Sequence, residues 1–329
     1  MRRADLAKRV AVLVVTAVVV LAIAGAGATV EPDTEPSPIP DTTEYAPSNV
    51  VPEQIPATGT ISPDASAADG TGTVLIDDAH NNRFSRSDIE PLVDALVRVG
   101  YTVEFYTGGD LAANLRDADA FLVVDPSSEF APGDVDDVRT FTGRGGRLVM
   151  VGEPTRVAVS SGLLGTSIST QESQLTSLAS EYGMSIDTRY LYNQETADGN
   201  YKHVVAESTG RGDLDGVDRT AMYTAAAVTV HRGTTLLETT ANTQKSPQSD
   251  VSGRFPVAAT KGNALLVGDK TFMSSGRYNV ADNEAFLAYM VEFLVAGDYD
   301  PPPEPDDGAT ATPGDRSTTT EGRSATTGA

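Results

Sequence analysis

Runs of apolar residues alternate with amphipathic stretches over the first half of the interior of this 329-residue chain. Thr73 to Ile76 is a short apolar run of the kind a buried strand carries, and it ends in Asp77-Asp78. After it, Ser87-Asp88-Ile89-Glu90 has the form of a capping box. The helix it opens places Ile89, Leu92, Val93, Leu96 and Val99 on one face and stops at Gly100. YTVEFYT predicts a second strand, AFLVVD (Ala120 to Asp125) a third, and APGDVDDVRTFTGRGG a helix closed by glycines. RLVMVGEP predicts a fourth strand. Strands that alternate with helices in this order imply a mostly parallel sheet with right-handed crossovers.

The second half is less periodic. Gln171 to Tyr182 predicts a helix, and YLYNQETADGNYKHVVAES a long polar loop that enters a strand. TAMYTAAAVTV and TTLLETT predict two strands joined at His231-Arg232-Gly233. FPVAATKGNALLVGD predicts a hairpin that feeds the closing strand. A last helix from Asp282, its expected N-cap, sets Phe286, Tyr289, Met290, Phe293 and Leu294 on one face.

The ends of the chain differ from this interior. Arg2, Arg3, Lys8 and Arg9 precede an uncharged apolar segment, Val10 to Val30, long enough to span a bilayer as a helix. The positive-inside rule puts residues 1–9 in the cytoplasm and the rest of the chain outside, as a single-pass protein of the cell membrane. A cleaved leader competes with the retained anchor, because Ala24-Gly25-Ala26 resembles a cleavage site. Either way the main domain is expected to be extracytoplasmic. Residues 31–70, rich in Pro, Thr, Ser and Asp, predict a solvated linker, and 298–329 a low-complexity tail. The folded domain is expected at 71–297.

Composition narrows the function classes. The formal net charge is −22, from 46 acidic and 24 basic residues, with only 5 lysines. Such a surface repels nucleic-acid phosphates, so no nucleic-acid partner is expected. It matches the hydrated acidic surfaces of proteins that work in high salt. With no cysteine, disulfides, thiolate catalysis and thiolate zinc sites are excluded. There is no P-loop, no GxGxxG and no GxSxG elbow, and no cofactor is expected.

Chemistry-bearing residues collect at the predicted strand ends. In an open α/β sheet, ligands bind outside the carboxyl ends of the strands. Here those ends carry Asp77, Asp78, His80 and Asn81 after the first strand, Asp125 and Ser127 after the third, and Glu153 after the fourth. Asp269 follows the closing strand, and Ser274, Arg277 and Asn279 lie on the loop beyond it. These eleven residues are the expected lining of a ligand-binding crevice. Each has a plainer use in a turn or cap. His80, in a polar run, is expected as a hydrogen-bonded loop residue rather than a packed core histidine. A magnesium or calcium site from Asp77, Asp78, Asp125 and Asp269 is conceivable, but no compact ligand motif supports one, and neither a metal nor a catalytic residue is assigned.

VLIDDAHNNRFSRSDIEPLVDAL, YLYNQETADGNYKHVV and VGDKTFMSSGRYNVADNEAFLAYMVEFL together resemble the domain-of-unknown-function 4350 family. The GD-x-x-F-x-S…N…DN pattern near the end carries most of the resemblance. The likeness implies a flavodoxin-like fold similar to class I glutamine amidotransferases, and to the extracytoplasmic domains of auxiliary components of gliding-type ABC transporters. A glutaminase of that type needs a cysteine on the elbow after a central strand. After RLVMVG this chain offers Glu153-Pro154, so glutaminase chemistry is excluded. The resulting expectation is a non-catalytic module that binds a polar ligand or a protein partner beside a transporter or envelope assembly. Its rival is a hydrolase using carboxylates with His80 or a divalent metal.

Overall fold

The computed structural model describes residues 59–64, 71–162, 165–212, 214–247 and 251–302. The chain divides into two units at Val51/Pro52, and every described residue belongs to the second. Among the described residues no helix is long and apolar enough to cross a membrane. The Val10 to Val30 segment, most of the predicted linker and most of the tail lie outside them.

The strands β1 (Thr73–Asp77), β2 (Thr102–Tyr106), β3 (Ala120–Val124) and β4 (Arg147–Val151) form in the order their apolar runs predict. With β15 (Ala264–Val267) they make a parallel set in the order β2-β1-β3-β4-β15. β3 is buried along its whole length, as a strand covered on both faces must be. Alternate residues feed two cores. Val74, Ile76, Leu122, Val149 and Val267 pack on one face with α1 (Arg86–Arg98) and α5 (Asn283–Val295). Leu75, Phe121, Val123, Met150 and Leu266 pack on the other, with α2 (Leu111–Arg116), α3 (Pro132–Gly143) and α4 (Thr176–Glu181). The short α2 has no counterpart in the sequence reading.

The sheet is mixed rather than parallel. β15 turns through Gly262-Asn263, with Gly262 at φ 59, into β14 (Pro256–Lys261). From there β14, β11 (Thr234–Thr239), β8 (His203–Ser208) and β9 (Arg219–Tyr223) run antiparallel to complete nine strands. A tight hairpin reverses direction, which a helical crossover does not, so the parallel pattern stops where the helices stop.

Three further readings are corrected. TAMYTAAAVTV is two strands in two sheets, because Thr224 adopts φ 72 and breaks the run. β10 (Ala226–Val230) leaves β9 to join β7 (Met184–Tyr192), β12 (Thr243–Lys245) and β13 (Ser252–Gly253) in a four-stranded sheet. Gln171 ends a strand instead of opening a helix. β5 (Arg156–Gly162) and β6 (Gly165–Gln171) form an exposed hairpin paired from Arg156↔Gln171 to Gly162↔Gly165, and β-branched Val157, Val159 and Ile168 favour that extended form. The N-cap of α1 is Ser85, not Ser87: Asp88 Oδ2 accepts from the Ser85 N–H at 2.7 Å.

The folded body also reaches beyond 71–297. Tyr299 tilts against Phe141, with ring centroids 4.7 Å apart. Ile61 is buried in the α1/α5 core, its carbonyl accepting from Arg98 Nη1 at 2.9 Å, and the Asp64 N–H donates to Glu292 Oε1 at 2.7 Å. Part of the predicted linker is therefore a strap packed on the domain. Ile61→Ala is expected to cost about 2 kcal/mol, the usual penalty for emptying a peripheral core site. The change in denaturant midpoint at constant slope measures it; an unchanged midpoint would show that the strap contributes nothing.

Candidate functional site

The parallel strands deliver their polar ends to one edge of the sheet. Most of what they deliver there is tied up. Asp77 is fully buried: Oδ1 lies 2.8 Å from His80 Nδ1 and accepts the Ala79 N–H at 3.3 Å, and Oδ2 accepts from Asn82 at 3.0 Å. Asn82 also bonds the Val124 carbonyl, which joins the β1 loop to β3. His80 is 8% exposed and stacks on Phe130 at 3.7 Å between centroids. The hydrogen-bonded loop histidine expected from the sequence is present, but it is packed, which the sequence reading did not expect, because Phe130 folds back from the β3 loop to cover the ring. Asn81, at φ 50, donates to Ser128 Oγ at 2.8 Å, and Ser127 Oγ donates to the Asn81 carbonyl at 2.7 Å. Asp78 points to solvent. These residues form a cross-linked double loop.

Beside it lies an open pocket of about 260 Å³, lined by Arg83, Asp125, Glu153, Pro154, Arg156, Gln171 and Lys270. Asp125 sits at φ 44 where β3 ends, a conformation a non-glycine residue adopts only under constraint. Here the constraint is visible. Its carboxylate accepts from Arg83 Nη2 at 2.6 Å and Nε at 3.3 Å, and from Ser173 Oγ. Ser173 in turn accepts the Glu153 N–H at 2.9 Å.

Glu153 stands where β4 ends, with its side chain 1% exposed. Its Oε2 pairs with Arg156 Nη2 at 2.5 Å, and Oε1 accepts from the Lys270 N–H and Thr271 Oγ1, both at 3.2 Å. Burial pushes its carboxyl up to about 8; neighbouring Asp269 adds to the rise, and Arg156 and Lys270 oppose it without cancelling it. Burial likewise raises Asp269, against the N–H donors of Tyr223 at 2.5 Å and Thr271 at 2.8 Å. Gly268 before it is required by close packing: a Cβ there would lie 2.2 Å from the Ala226 carbonyl oxygen.

Three expected residues are elsewhere or otherwise engaged. Ser274 Oγ donates to the Thr271 carbonyl and closes a local turn. Arg277 lies over the Tyr223 ring at 4.4 Å, in a separate group where Tyr223 donates to Asp198 Oδ2 at 2.9 Å and packs edge-on against His203. Asn279 is half-buried on the same loop and has no place in the pocket lining. Asp282 occupies the N-cap position of α5, but its carboxylate accepts from the Asp218 and Arg219 N–H groups rather than from its own helix. No three His, Asp or Glu side chains among the described residues are placed to share a metal ion.

Arg83, Arg156, Ser173 and Lys270 are not among the residues singled out from the sequence. Lys270 directly follows Asp269 in a chain with 5 lysines, and Arg156 lies three residues after Glu153. Those spacings were the available signal. Ser173 was hidden inside a stretch misread as helix.

A family model described as domain of unknown function (DUF4350) matches residues 90–291. No curated protein matches the chain in sequence. Among solved structures it is similar to the mmIFT52 N-terminal domain, at 13% identity and a TM-score of 0.51, over 69% of this chain and 99% of that one. A ThuA-like protein from Bacteroides uniformis aligns at 10% identity and a TM-score of 0.39, over 71% and 95%. A β-galactosidase from Bacillus circulans aligns at 10% and 0.42, over 68% and 30%. The first of these likenesses, at 13% identity, concerns the fold alone.

Proposed function

The chain belongs to the DUF4350 family, and from that premise we propose that it is a membrane-anchored, extracytoplasmic, non-catalytic module. It has an amidotransferase-like fold of haloarchaeal type, and it uses the strand-end pocket to bind a polar ligand or a protein partner of a transporter or envelope assembly. The observation that carries this reading is the state of the elbow after β4. Glu153 occupies it, buried and engaged at both oxygens, in a chain without cysteine. A catalytic base or nucleophile needs an atom free to reach substrate, whereas both Glu153 oxygens are engaged and His80 lies under Phe130 with its Nδ1 on Asp77. The apolar Val10 to Val30 segment supports the anchor.

The hydrolase reading has one point in its favour. Glu153, Asp269 and Asp125 crowd together with Glu153 shifted upward, the kind of separation that acid–base pairs exploit. Two experiments decide between them. Tagged full-length chain is captured from native membranes in high salt, as wild type and as Arg156→Gln. A partner or ligand recovered with wild type and lost from the variant is the expected result; recovery of the chain alone in both overturns the binding reading. Turnover of glycan, phosphoester or peptide substrates with magnesium or calcium, abolished by Glu153→Gln, would overturn the non-catalytic one.

A further inference from the structure

We propose that the strand-end pocket is a receptor for a single oxyanion group, a carboxylate or a phosphate, anchored by Lys270 and flanked by Arg156 and Arg83. The inference rests on the binding reading above and names its ligand class.

The pocket inverts the charge of the molecule around it. The whole chain carries 46 acidic and 24 basic residues, yet three cations and two carboxylates line this cavity. The two signs also lie at different depths. Side-chain exposure is 4% for Asp125 and 1% for Glu153, against 22% for Arg83, 43% for Arg156 and 11% for Lys270. A ligand entering from solvent meets the cations, and the carboxylates behind them hold the guanidinium groups in place.

Lys270 is the least committed of the three. Arg83 and Arg156 each make a close pair with a buried carboxylate, at 2.6 and 2.5 Å. The Lys270 ammonium has Asp88 at 3.7 Å, beyond hydrogen-bond reach, and donates no hydrogen bond among the described residues. This ammonium is not sealed from water, and its three donors lack protein acceptors among the described residues. An oxyanion in the pocket would supply them. Guanidinium groups keep further N–H donors when one edge is paired, so Arg83 and Arg156 can still serve an oxygen on the pocket side.

Size and lining restrict what enters. About 260 Å³ holds a small polar group, and Pro154 is the only apolar residue of the lining. An apolar body would find no surface to cover. The pocket is therefore suited to a free small anion or to the charged terminus of a larger molecule that stays outside.

The test uses full-length protein in detergent at constant ionic strength. Sodium phosphate and sodium acetate are titrated separately, with sodium chloride as the control, and binding is read by calorimetry and by the ligand-dependent shift in melting temperature. Saturable binding of one anion is expected, weakened at least tenfold in Lys270→Met and several-fold in Arg156→Gln. The anion that binds tells a phosphate-bearing ligand from a carboxylate. Melting curves check that both variants fold; Arg156 is half-exposed, so its variant remains informative if Lys270→Met does not fold. Signals no larger than chloride, or undiminished in the folded variants, overturn the inference. Should anions fail to bind while membrane capture still depends on Arg156, the oxyanion assignment alone falls; failure of both removes the binding reading as well.

Discussion

Asp269→Asn is expected to destabilise the folded unit by about 3 kcal/mol, at nearly constant shape and volume. Asp269 is completely buried, and its two oxygens are spent on different elements. Oδ2 takes the Tyr223 N–H at the end of β9, and Oδ1 takes the Thr271 N–H of the turn after β15. One carboxylate thus fastens the antiparallel edge of the large sheet to its parallel centre. An amide keeps a single acceptor. Its NH₂ must then face one of the two donors, so a buried N–H loses its partner and meets a like dipole. Charge-assisted bonds to buried N–H groups are the stronger kind, which puts the loss above that of an ordinary hydrogen bond. Denaturant unfolding at neutral pH measures it. A change below about 0.5 kcal/mol, the scale of a neutral surface substitution, would show that Asp269 is a site residue rather than a fastener.

That reassignment shows how far the sequence could be read. The parallel half of the sheet was legible because β1, β3, β4 and β15 are short apolar runs followed by polar residues and α1 carries its own periodicity, whereas the six-residue α2 is too short to show one. The antiparallel half was not. Thr224 interrupts TAMYTAAAVTV without any composition signal, and only its φ of 72 sends β10 into another sheet. The β5–β6 hairpin is exposed throughout the described part of β6, so it lacks the one-sided apolar pattern by which strands are recognised.

The site was half legible for a similar reason. Strand-end placement follows from topology, so Asp77, Asp125, Glu153 and Asp269 were found where the sheet puts them. Their roles depend on depth, which no local pattern encodes. Asp77 and Asp269 point inward and hold loops together. Arg83 and Arg156 are more exposed than the carboxylates they pair with, and Lys270, largely buried, completes the cationic part of the same pocket lining. In a chain this acidic, attention falls on the carboxylates, although the scarcer basic residues carry more information about what approaches.

Glu153 gives the second large effect, in the pH dependence of stability. Its folded value of about 8 lies above the ordinary glutamate value of 4.5, so the folded chain keeps a proton that the unfolded chain has released. Between those values unfolding releases that proton, and stability falls as pH rises, by up to about 1.4 kcal/mol per pH unit. The contribution is fully present below pH 4.5 and is lost as pH passes through 8. Glu153→Gln keeps the shape of the neutral acid and cannot ionise. Relative to this variant, wild type is expected to lose about 4 kcal/mol of stability between pH 5 and pH 9. Denaturant titrations of both proteins across that range, at fixed ionic strength, give the difference directly. A constant gap between the two curves would mean that Glu153 is already ionised at pH 5, held as a carboxylate by Arg156 and the donors of Lys270 and Thr271. The pocket would then carry a smaller net positive charge near neutral pH, and an incoming oxyanion would depend more heavily on Lys270.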